Sequence, residues 1–258
     1  MSSDKFLRSK DLKRLDRELE SLISRDGLDR KTQDEVFDKS TLHTLEKLIS
    51  DRIIDIIDFP ISTGKEGNVF RAVTPQKKLV AVKIYRINTA TFKHISEYII
   101  GDPRFKSVHK SKRDIIFAWT QKEFKNLQRL QKIGVLAPKP IHYLKNVLVM
   151  SYIGSKKEAA PLMKDVILPN PKEVFNTLIK FISKMYNDAD LVHGDFSAFN
   201  ILIHRKRPYL IDLGQGVLIE HYNALEYLKR DIHNIVNFFN KYKIKADEEA
   251  IFQDITNK

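Results

Sequence analysis

Residues 193–200 read His-Gly-Asp-Phe-Ser-Ala-Phe-Asn, and this octapeptide is the most informative stretch of the chain. Its spacing, H-x-D-x-x-x-x-N, is that of a loop in enzymes that transfer phosphoryl groups. In such a loop Asp195 orients the attacking hydroxyl or water and accepts its proton, while Asn200 supplies an oxygen ligand to Mg²⁺. Each residue alone could instead cap a turn or bond the backbone, so the interpretation depends on the surrounding segments.

A second carboxylate follows at Asp212, in the segment YLIDLG. Two strand-like runs, ILIH and YLID, are separated by Arg-Lys-Arg-Pro at residues 205–208, which predicts a hairpin with a four-residue turn. Such a hairpin returns Asp212 to the level of Asn200, with facing residues roughly 5 Å apart. Their oxygens suit a hard divalent cation that carries nucleotide phosphates far better than they suit zinc.

Upstream, residues 62–69 read Ser-Thr-Gly-Lys-Glu-Gly-Asn-Val, which match the phosphate-covering loop G-x-G-x-x-G-x-V except at the first glycine. Glycines let backbone amides approach phosphate oxygens, but a turn between strands needs glycine too. A Walker A loop is excluded, because Phe59 occupies the place of its first glycine and Glu66 the place of its Ser or Thr. The predicted nucleotide contacts here are Ser62, Gly64, Lys65, Glu66, Gly67 and Val69.

A lysine, Lys83, interrupts the strand-forming run VAVK. If it points inward it needs an anion, which ATP phosphates and a carboxylate would provide; on a half-exposed strand it could equally point outward. Glu123 is the preferred carboxylate, because it lies on the apolar stripe of a helix predicted around residues 114–133. Glu97 is the competing choice, but it lies off the apolar face of its own shorter helical stretch.

Composition narrows the function classes. The 258 residues, 42% of them hydrophobic, are enough for one or two cores. The absence of cysteine excludes disulfides and cysteine chemistry and suits a reducing, cytoplasmic location. The longest charge-free run, NVLVMSYIGS, is far shorter than the roughly 20 apolar residues of a membrane span, and the start lacks an apolar signal segment. We therefore expect neither export nor membrane insertion.

The formal net charge of +12 favours an anionic partner, whether nucleotide, RNA or acidic protein. Solvated loops on a lysine-rich protein explain the basic clusters as well as binding does. No interleaving of basic and aromatic residues marks a face that binds single strands. The two clusters are Arg104, Lys106, Lys110, Lys112 and Arg113, and Arg205, Lys206 and Arg207.

Changes in periodicity divide the chain into three regions. Residues 1–57 are expected to form a helical extension that packs on the rest, with Ser40 as a candidate N-cap. Residues 58–150 are rich in strands and contain one main helix, and residues 151–258 are mainly helical. With the four motifs in this order, we expect an α+β, two-lobed protein-kinase-like fold, with a truncated C-terminal lobe and extra N-terminal helices.

The segments STGKEGNVF, VAVKIY, LVHGDFSAFNIL and YLIDLGQGV resemble the RIO atypical protein kinases, over about residues 55–240. The GKE sequence in the glycine-rich loop and IDLGQ in place of DFG separate this group from ordinary protein kinases. The resemblance is to the type-one branch, because the roughly 50 preceding residues are too few for the winged-helix domain expected of type two.

This resemblance implies ATP with Mg²⁺ or Mn²⁺ as cofactors, serine autophosphorylation and a role in maturation of the small ribosomal subunit. It also implies an adenine pocket with Met150 as gatekeeper and with backbone groups of Ser151 and Ile153 on the base. In this family picture Asp212 can take phosphate covalently, so that the enzyme cycles as an ATPase. The implied partner is a pre-ribosomal small-subunit particle, and we expect a monomer or weak dimer.

Two departures from ordinary protein kinases bear on mechanism. Only 46 residues follow Asp212, without an A-P-E segment, so we expect neither a conventional peptide groove nor switching by activation-loop phosphorylation. About 39 residues separate Lys83 from Glu123, and we expect them to include a flap near the nucleotide. Ser107 and Ser111 lie in this stretch and are the candidate autophosphorylation sites.

Two other functions remain open from the sequence. A small-molecule kinase of the aminoglycoside or choline type shares H-G-D-x-x-x-x-N, but the GKE loop and the short C-terminal region count against it. A basic assembly factor that binds ribosome or RNA could use ATP only as a conformational switch. In that case Asp195→Ala would leave its function intact.

Overall fold

The computed structural model describes residues 38–64, 67–87, 95, 98–99, 101–105 and 111–257. Most of the predicted N-terminal extension lies outside this set, as do six residues named from the sequence: Lys65, Glu66, Glu97, Lys106, Ser107 and Lys110. The division of the chain predicted at residues 57 and 150 stays a prediction. Among the described residues, no helix is long and apolar enough to cross a membrane.

The described residues form two compact units that alternate along the chain. The first unit draws on the described residues 38–64, 67–87, 111–120 and 140–152. The second draws on the described residues 95, 98–99, 101–105, 121–139 and 153–257. The long helix α2, Lys112–Ile133, contributes its first turns to the first unit and the remainder to the second.

The first unit is a five-stranded antiparallel sheet with strand order β1-β2-β3-β5-β4. The residues of the central strand β3 are almost all buried, whereas β2, which is also paired on both sides, alternates buried with half-buried positions. The tip between β1 and β2 is the glycine-rich segment. The strands are β1 (Ile56–Thr63), β2 (Gly67–Val73), β3 (Leu79–Tyr85), β4 (Pro140–Leu144) and β5 (Val147–Ser151).

Helix α1, Lys39–Ser50, packs on this sheet and buries Leu45 and Leu48 in its core. Its N-cap is Asp38, whose carboxylate accepts the backbone N–H of Thr41 at 2.7 Å. The predicted cap at Ser40 is therefore wrong. An aspartate two residues earlier provides the acceptor, and Ser40 already lies inside the helix.

The second unit is mainly helical. Its helices α3 (Pro171–Ala189) and α4 (Ala224–Asn240) bury long apolar stripes, and the shorter α5 (Glu248–Thr256) packs with both. Two small antiparallel pairs complete it: β6 (Leu191–Val192) with β9 (Val217–Leu218), and β7 (Ile201–His204) with β8 (Arg207–Leu210). Short 3₁₀ turns lie at Pro103–Phe105 and Met163–Asp165. The predicted α+β class is confirmed.

Candidate active site

The octapeptide 193–200 forms the loop between β6 and β7 in the second unit. His193 is buried, and its ring Nδ1 accepts the backbone N–H of Asp195 at 3.3 Å. The other ring nitrogen, Nε2, therefore carries the proton and donates to the carbonyl of Ile211 at 3.2 Å. Through these two bonds the histidine joins the loop to the segment that precedes Asp212.

Asp195 and Asn200 face each other across the loop. The side-chain nitrogen of Asn200 donates to the carboxylate of Asp195 at 2.7 Å and to its backbone carbonyl at 2.9 Å. Both residues are half-buried. Because the amide nitrogen is used here, the side-chain oxygen of Asn200 is the atom that could ligate a metal.

The β7–β8 hairpin brings Asp212 to the same end as Asn200, as predicted. Ile201 pairs with Leu210, and the backbone N–H of Ile211 donates to the carbonyl of Asn200 at 3.0 Å. Asp212 follows directly, in the left-handed region with φ of 61°. Such a backbone is uncommon for a residue with a side chain, and such residues cluster at functional sites.

The predicted four-residue turn of this hairpin is wrong. His204 pairs with Arg207, so the turn contains only two residues, Arg205 and Lys206, both left-handed. Two-residue turns of this kind match the twist of antiparallel strands. Pro208, assigned to the turn from sequence, pairs with Ile203 instead, which a two-stranded hairpin tolerates because one edge of each strand needs no partner.

Asp231 on α4 fixes the backbone of the loop 193–200. Its two carboxylate oxygens accept the backbone N–H groups of Gly194 and Phe196, each at 2.8 Å. Complete burial raises the pKa of Asp231 to about 7, although these two hydrogen bonds oppose the shift. The sequence analysis missed this residue. Asp231 stands among the apolar positions of α4, and the same pattern on α2 led to the prediction of Glu123 as a buried carboxylate.

Two side chains of α2 hold the segment that follows Asp212, and we call Lys122 and Asn126 the helix clamp. The amide nitrogen of Asn126 donates to the carbonyls of Leu213 at 2.8 Å and Gly216 at 2.9 Å. Lys122 donates to the carbonyl of Gly214 at 2.9 Å, and its complete burial holds the pKa of its ammonium well below the usual value. These three bonds fix the backbone next to the second carboxylate, Asp212.

The helix clamp is itself supported by a buried ion pair. Arg104 donates to the side-chain oxygen of Asn126 at 2.8 Å, which leaves only the amide nitrogen to meet the carbonyls. Asp102 accepts two hydrogen bonds from the guanidinium of Arg104, at 2.8 and 2.6 Å. Burial acts to raise the pKa of Asp102, but the bonds and charge of Arg104 outweigh it and lower that pKa. No spacing pattern in the sequence indicates that Asp102 and Arg104 form a buried ion pair near the site.

The first unit holds the residues predicted to contact the nucleotide phosphates. Lys83 lies on β3 opposite Val69, is 9% exposed, and has its ammonium 4.9 Å from the ring centre of Tyr85. Gly67 opens β2, where an added Cβ would lie 2.3 Å from the carbonyl oxygen of Ile84. Only glycine fits this position. Gly64 and Ser62 are exposed on the other arm of the same hairpin tip.

The predicted adenine residues are divided between the two units. Met150 is buried on β5, and Ser151 ends that strand. In the second unit the carbonyl of Ile153 accepts the N–H of Ala160 at 3.0 Å, so a base contact from Ile153 would use its N–H. Glu123 is buried on α2. Its predicted pairing with Lys83 joins residues of different units and stays a prediction.

Ser111 caps α2. Its hydroxyl accepts the backbone N–H of Asp114 at 3.2 Å and donates to the Asp114 carboxylate. The first of these bonds satisfies one of the free N–H groups at the start of the helix. Ser111 is exposed, so it remains a candidate for autophosphorylation. Phosphorylation would modify the hydroxyl that caps α2.

The sequence of residues 68–251 matches the protein-family model of the RIO domain. This chain belongs to the RIO family. RIO-type serine/threonine-protein kinase Rio1 of Haloferax volcanii is 42% identical over 226 residues, covering 88% of this chain and 78% of that protein. Rio1 of Methanocaldococcus jannaschii is 39% identical, covering 99% of this chain and 89% of its own length. The RIO chain described here is therefore a serine/threonine-protein kinase of the Rio1 type, as predicted.

Solved structures agree on the fold. The Rio2 kinase from Chaetomium thermophilum, determined as an ADP/Mg²⁺-phosphoaspartate complex, superimposes with a TM-score of 0.63 at 22% identity. The match covers 83% of this chain and 65% of that one. At this identity the likeness shows the fold alone, and it confirms the kinase-like architecture.

The oxygen atoms at the hairpin end of this RIO kinase fit a magnesium ion. Mg²⁺ in nucleotide sites uses one or two protein ligands together with phosphates and water. The oxygen of Asn200 and the carboxylate of Asp212 make such a set. Within the part of the chain that the structure describes, no cluster of three or more His, Cys, Asp or Glu forms a cage made by protein alone.

Proposed function

We propose that this Rio1-type kinase transfers the γ-phosphoryl group of ATP with Asp195 as catalytic base and with Asn200 and Asp212 as ligands of Mg²⁺ or Mn²⁺. The observation that carries the proposal is the paired geometry of the loop and the hairpin. Asn200 binds Asp195 through its amide nitrogen, while its backbone carbonyl binds the residue before Asp212. One residue thus ties the base to the metal ligand.

In this mechanism each side chain has a separate task. Asp195 orients the acceptor hydroxyl and takes its proton as the new P–O bond forms and the bond to the β-phosphate oxygen breaks. Mg²⁺, when bound, neutralises charge on the phosphates. Lys83 provides the buried positive charge that the phosphates require. The hydrogen bonds that Asp231 accepts and those that the helix clamp donates hold the backbone around both carboxylates.

The acceptor is proposed to be a serine, Asp212 or water. Transfer to Asp212 would form an acyl phosphate that water then cleaves, giving net ATP hydrolysis. The phosphoaspartate in the Rio2 kinase complex supports this route by fold analogy. Transfer to serine is supported by the Rio1 relatives, which are serine/threonine-protein kinases.

Labelled ATP separates the routes. The protein is incubated with γ-labelled ATP and Mg²⁺, as wild type and as Asp212→Asn, and the label is treated with acid or hydroxylamine. Acid-stable label supports serine phosphorylation, and mass spectrometry then places it, with Ser107 and Ser111 as candidates. Hydroxylamine-sensitive label that Asp212→Asn abolishes supports the aspartyl route. No labelled protein and no released phosphate would refute both.

We further propose a role in small-ribosomal-subunit maturation in the cytoplasm. The family and the net charge of +12 support it, because ribosomal particles present dense negative charge. The test is cosedimentation with small-subunit precursors, with and without ATP. If Asp195→Ala restores maturation in cells lacking the protein, ATP serves only as a conformational switch and the kinase role fails. The small-molecule kinase alternative is set aside by membership of the RIO family.

A further inference from the structure

The second unit contains a cavity of about 520 Å³ that none of the proposed catalytic or metal-binding residues lines. It lies between the N-terminal half of α3, the turn of the β7–β8 hairpin and the segment after α2. Its volume is within the range of ligand sites. The lining is apolar at its base, from Leu136, Leu168, Val174, Phe181 and Ile203.

Cations dominate the rim of this cavity. Four of them, Lys180, Arg205, Lys206 and Arg207, are exposed, and within the described ranges none of the four forms an ion pair with a carboxylate. Glu173 is the single acidic residue of the lining. A fifth cation, Lys184, donates to the carbonyl of Ile133 at 2.8 Å and so serves the end of α2.

The turn that carries two of these cations has an unfavourable backbone for them. Arg205 and Lys206 have φ of 50° and 62°, where asparagine and glycine are preferred. Replacing the two residues by asparagine and glycine therefore removes both charges and relieves the backbone at the same time.

The start of α3 adds to the positive potential. Leu168, Pro169 and Asn170 line the cavity, and Asn170 is an N-cap whose side chain accepts no backbone N–H of the first turn and donates to the Glu173 carboxylate at 3.4 Å. A helix of 19 residues carries partial positive charge at its first turn. Cationic side chains, a helix start and an apolar base therefore converge on one concave surface.

We propose that this basic cavity binds a single-stranded segment of RNA, with phosphates on the rim cations and one unstacked base against the apolar base of the cavity. Four cations exceed what one phosphate needs and suit successive phosphates, while an apolar wall suits the face of a base. The choice of RNA rests on the proposed ribosomal role. The cavity turn and the Asn200–Asp212 pair lie at opposite ends of the β7–β8 hairpin.

The test measures binding of a fluorescently labelled, mixed-sequence RNA 12-mer by anisotropy, without ATP, over a series of salt concentrations. The double variant Arg205→Asn/Lys206→Gly removes two charges and installs the residues that this turn prefers, so the fold is retained. Affinity should fall about 25-fold near 0.1 M salt, and the slope of log K against log salt should shrink by about 1.4.

A matched control removes equal charge elsewhere in the second unit. Lys243→Asn/Lys245→Asn takes away two exposed cations outside the cavity, one of them also left-handed with φ of 60°. It should weaken RNA binding less than about threefold, because these exposed lysines do not line the cavity and salt screens their charge. Thr177→Phe, which fills the cavity from α3, should weaken binding without changing the salt slope.

Equal losses in the cavity variant and the control would overturn the proposal, because they would show diffuse attraction. A wild-type protein that ignores the RNA but binds a phosphoserine peptide through Arg205 and Lys206 would overturn the choice of RNA. ATP turnover without RNA should be unchanged in the cavity variant. The RNA site and the phosphotransfer site can therefore fail independently. The cavity variant should lose RNA binding and keep ATP turnover, whereas Asp195→Ala should lose phosphotransfer and keep RNA binding.

Discussion

Asn126→Leu is the sharpest perturbation of the segment that carries Asp212. Asn126 is fully buried and makes three hydrogen bonds, donating to Leu213 and Gly216 and accepting from Arg104. Leucine has nearly the same shape, so it leaves no space for a replacing water but removes every polar atom. At about 1 kcal/mol for each lost bond, plus the cost of buried carbonyls without partners, the free energy of unfolding should fall by about 3 to 5 kcal/mol.

Asn187→Leu is the matched control. Asn187 also donates from one amide nitrogen to two carbonyls, those of Ser183 at 3.0 Å and Ile255 at 3.1 Å, but it is exposed. Water replaces its bonds, so the expected loss is under about 1 kcal/mol. Urea unfolding monitored by the fluorescence of the single tryptophan, Trp119, measures both variants.

The same variant tests whether the helix clamp serves the site. Because the bonds of Asn126 fix the backbone next to Asp212, Asn126→Leu should raise the Mg²⁺ concentration for half-maximal ATP turnover by about tenfold under conditions where the protein is still folded. Asn187→Leu should leave it unchanged. Equal destabilisation of the two variants would refute the buried-bond reasoning, and an unaltered Mg²⁺ dependence would refute the link to the site.

Other residues give shorter tests. Gly67→Ala should lower stability by about 1 to 3 kcal/mol and raise the KM for ATP, because the added Cβ would meet the Ile84 carbonyl. Gly64→Ala, whose added Cβ would lie 3.3 Å from its nearest atom, should lower stability much less, as thermal unfolding will show. Burial raises the pKa of Asp231 to about 7, so its contribution to stability is complete below the unfolded pKa near 3.8 and is lost as pH rises to about 7, by up to about 1.4 kcal/mol per pH unit. Urea titrations at pH 5 and 6.5 should therefore show the wild type losing stability relative to Asp231→Asn, and a constant difference would contradict this. Lys83→Met should abolish phosphotransfer while Lys78→Met, on the exposed end of the β2–β3 turn, keeps it; equal rates would remove Lys83 from the site.

Local sequence patterns predicted the features that depend on short-range geometry. The hairpin that returns Asp212 towards Asn200 follows from two strand-like runs around a polar turn, and the structure has it. The turn length was wrong because Pro208 was assigned to the turn, whereas the outer edge of a two-stranded hairpin accepts proline. Here the choice between turn types depended on pairing energy along the strands, which residue identity alone does not report.

The helix clamp shows what sequence reasoning left unused. Lys122 and Asn126 are four residues apart and share one face of the helix beside the stripe of Glu123, but a lysine and an asparagine on a charged helix are usually solvated. Their burial depends on carbonyls about 90 residues away in the chain, at Leu213, Gly214 and Gly216. Asp102 and Arg104 depend on the same long-range packing, so no local period could indicate them.

The central claim is that Asp195 acts as the base of an ATP-dependent phosphotransfer site. The most direct measurement is the single-turnover rate of phosphate loss from γ-labelled ATP at saturating Mg²⁺, for wild type, Asp195→Ala and Asp188→Ala. Asp188 is an exposed aspartate on α3 and serves as the control. Asp195→Ala should lower the rate by about 10² to 10⁴ while ATP still binds, and Asp188→Ala should leave it unchanged. A rate for Asp195→Ala within twofold of wild type would contradict the account.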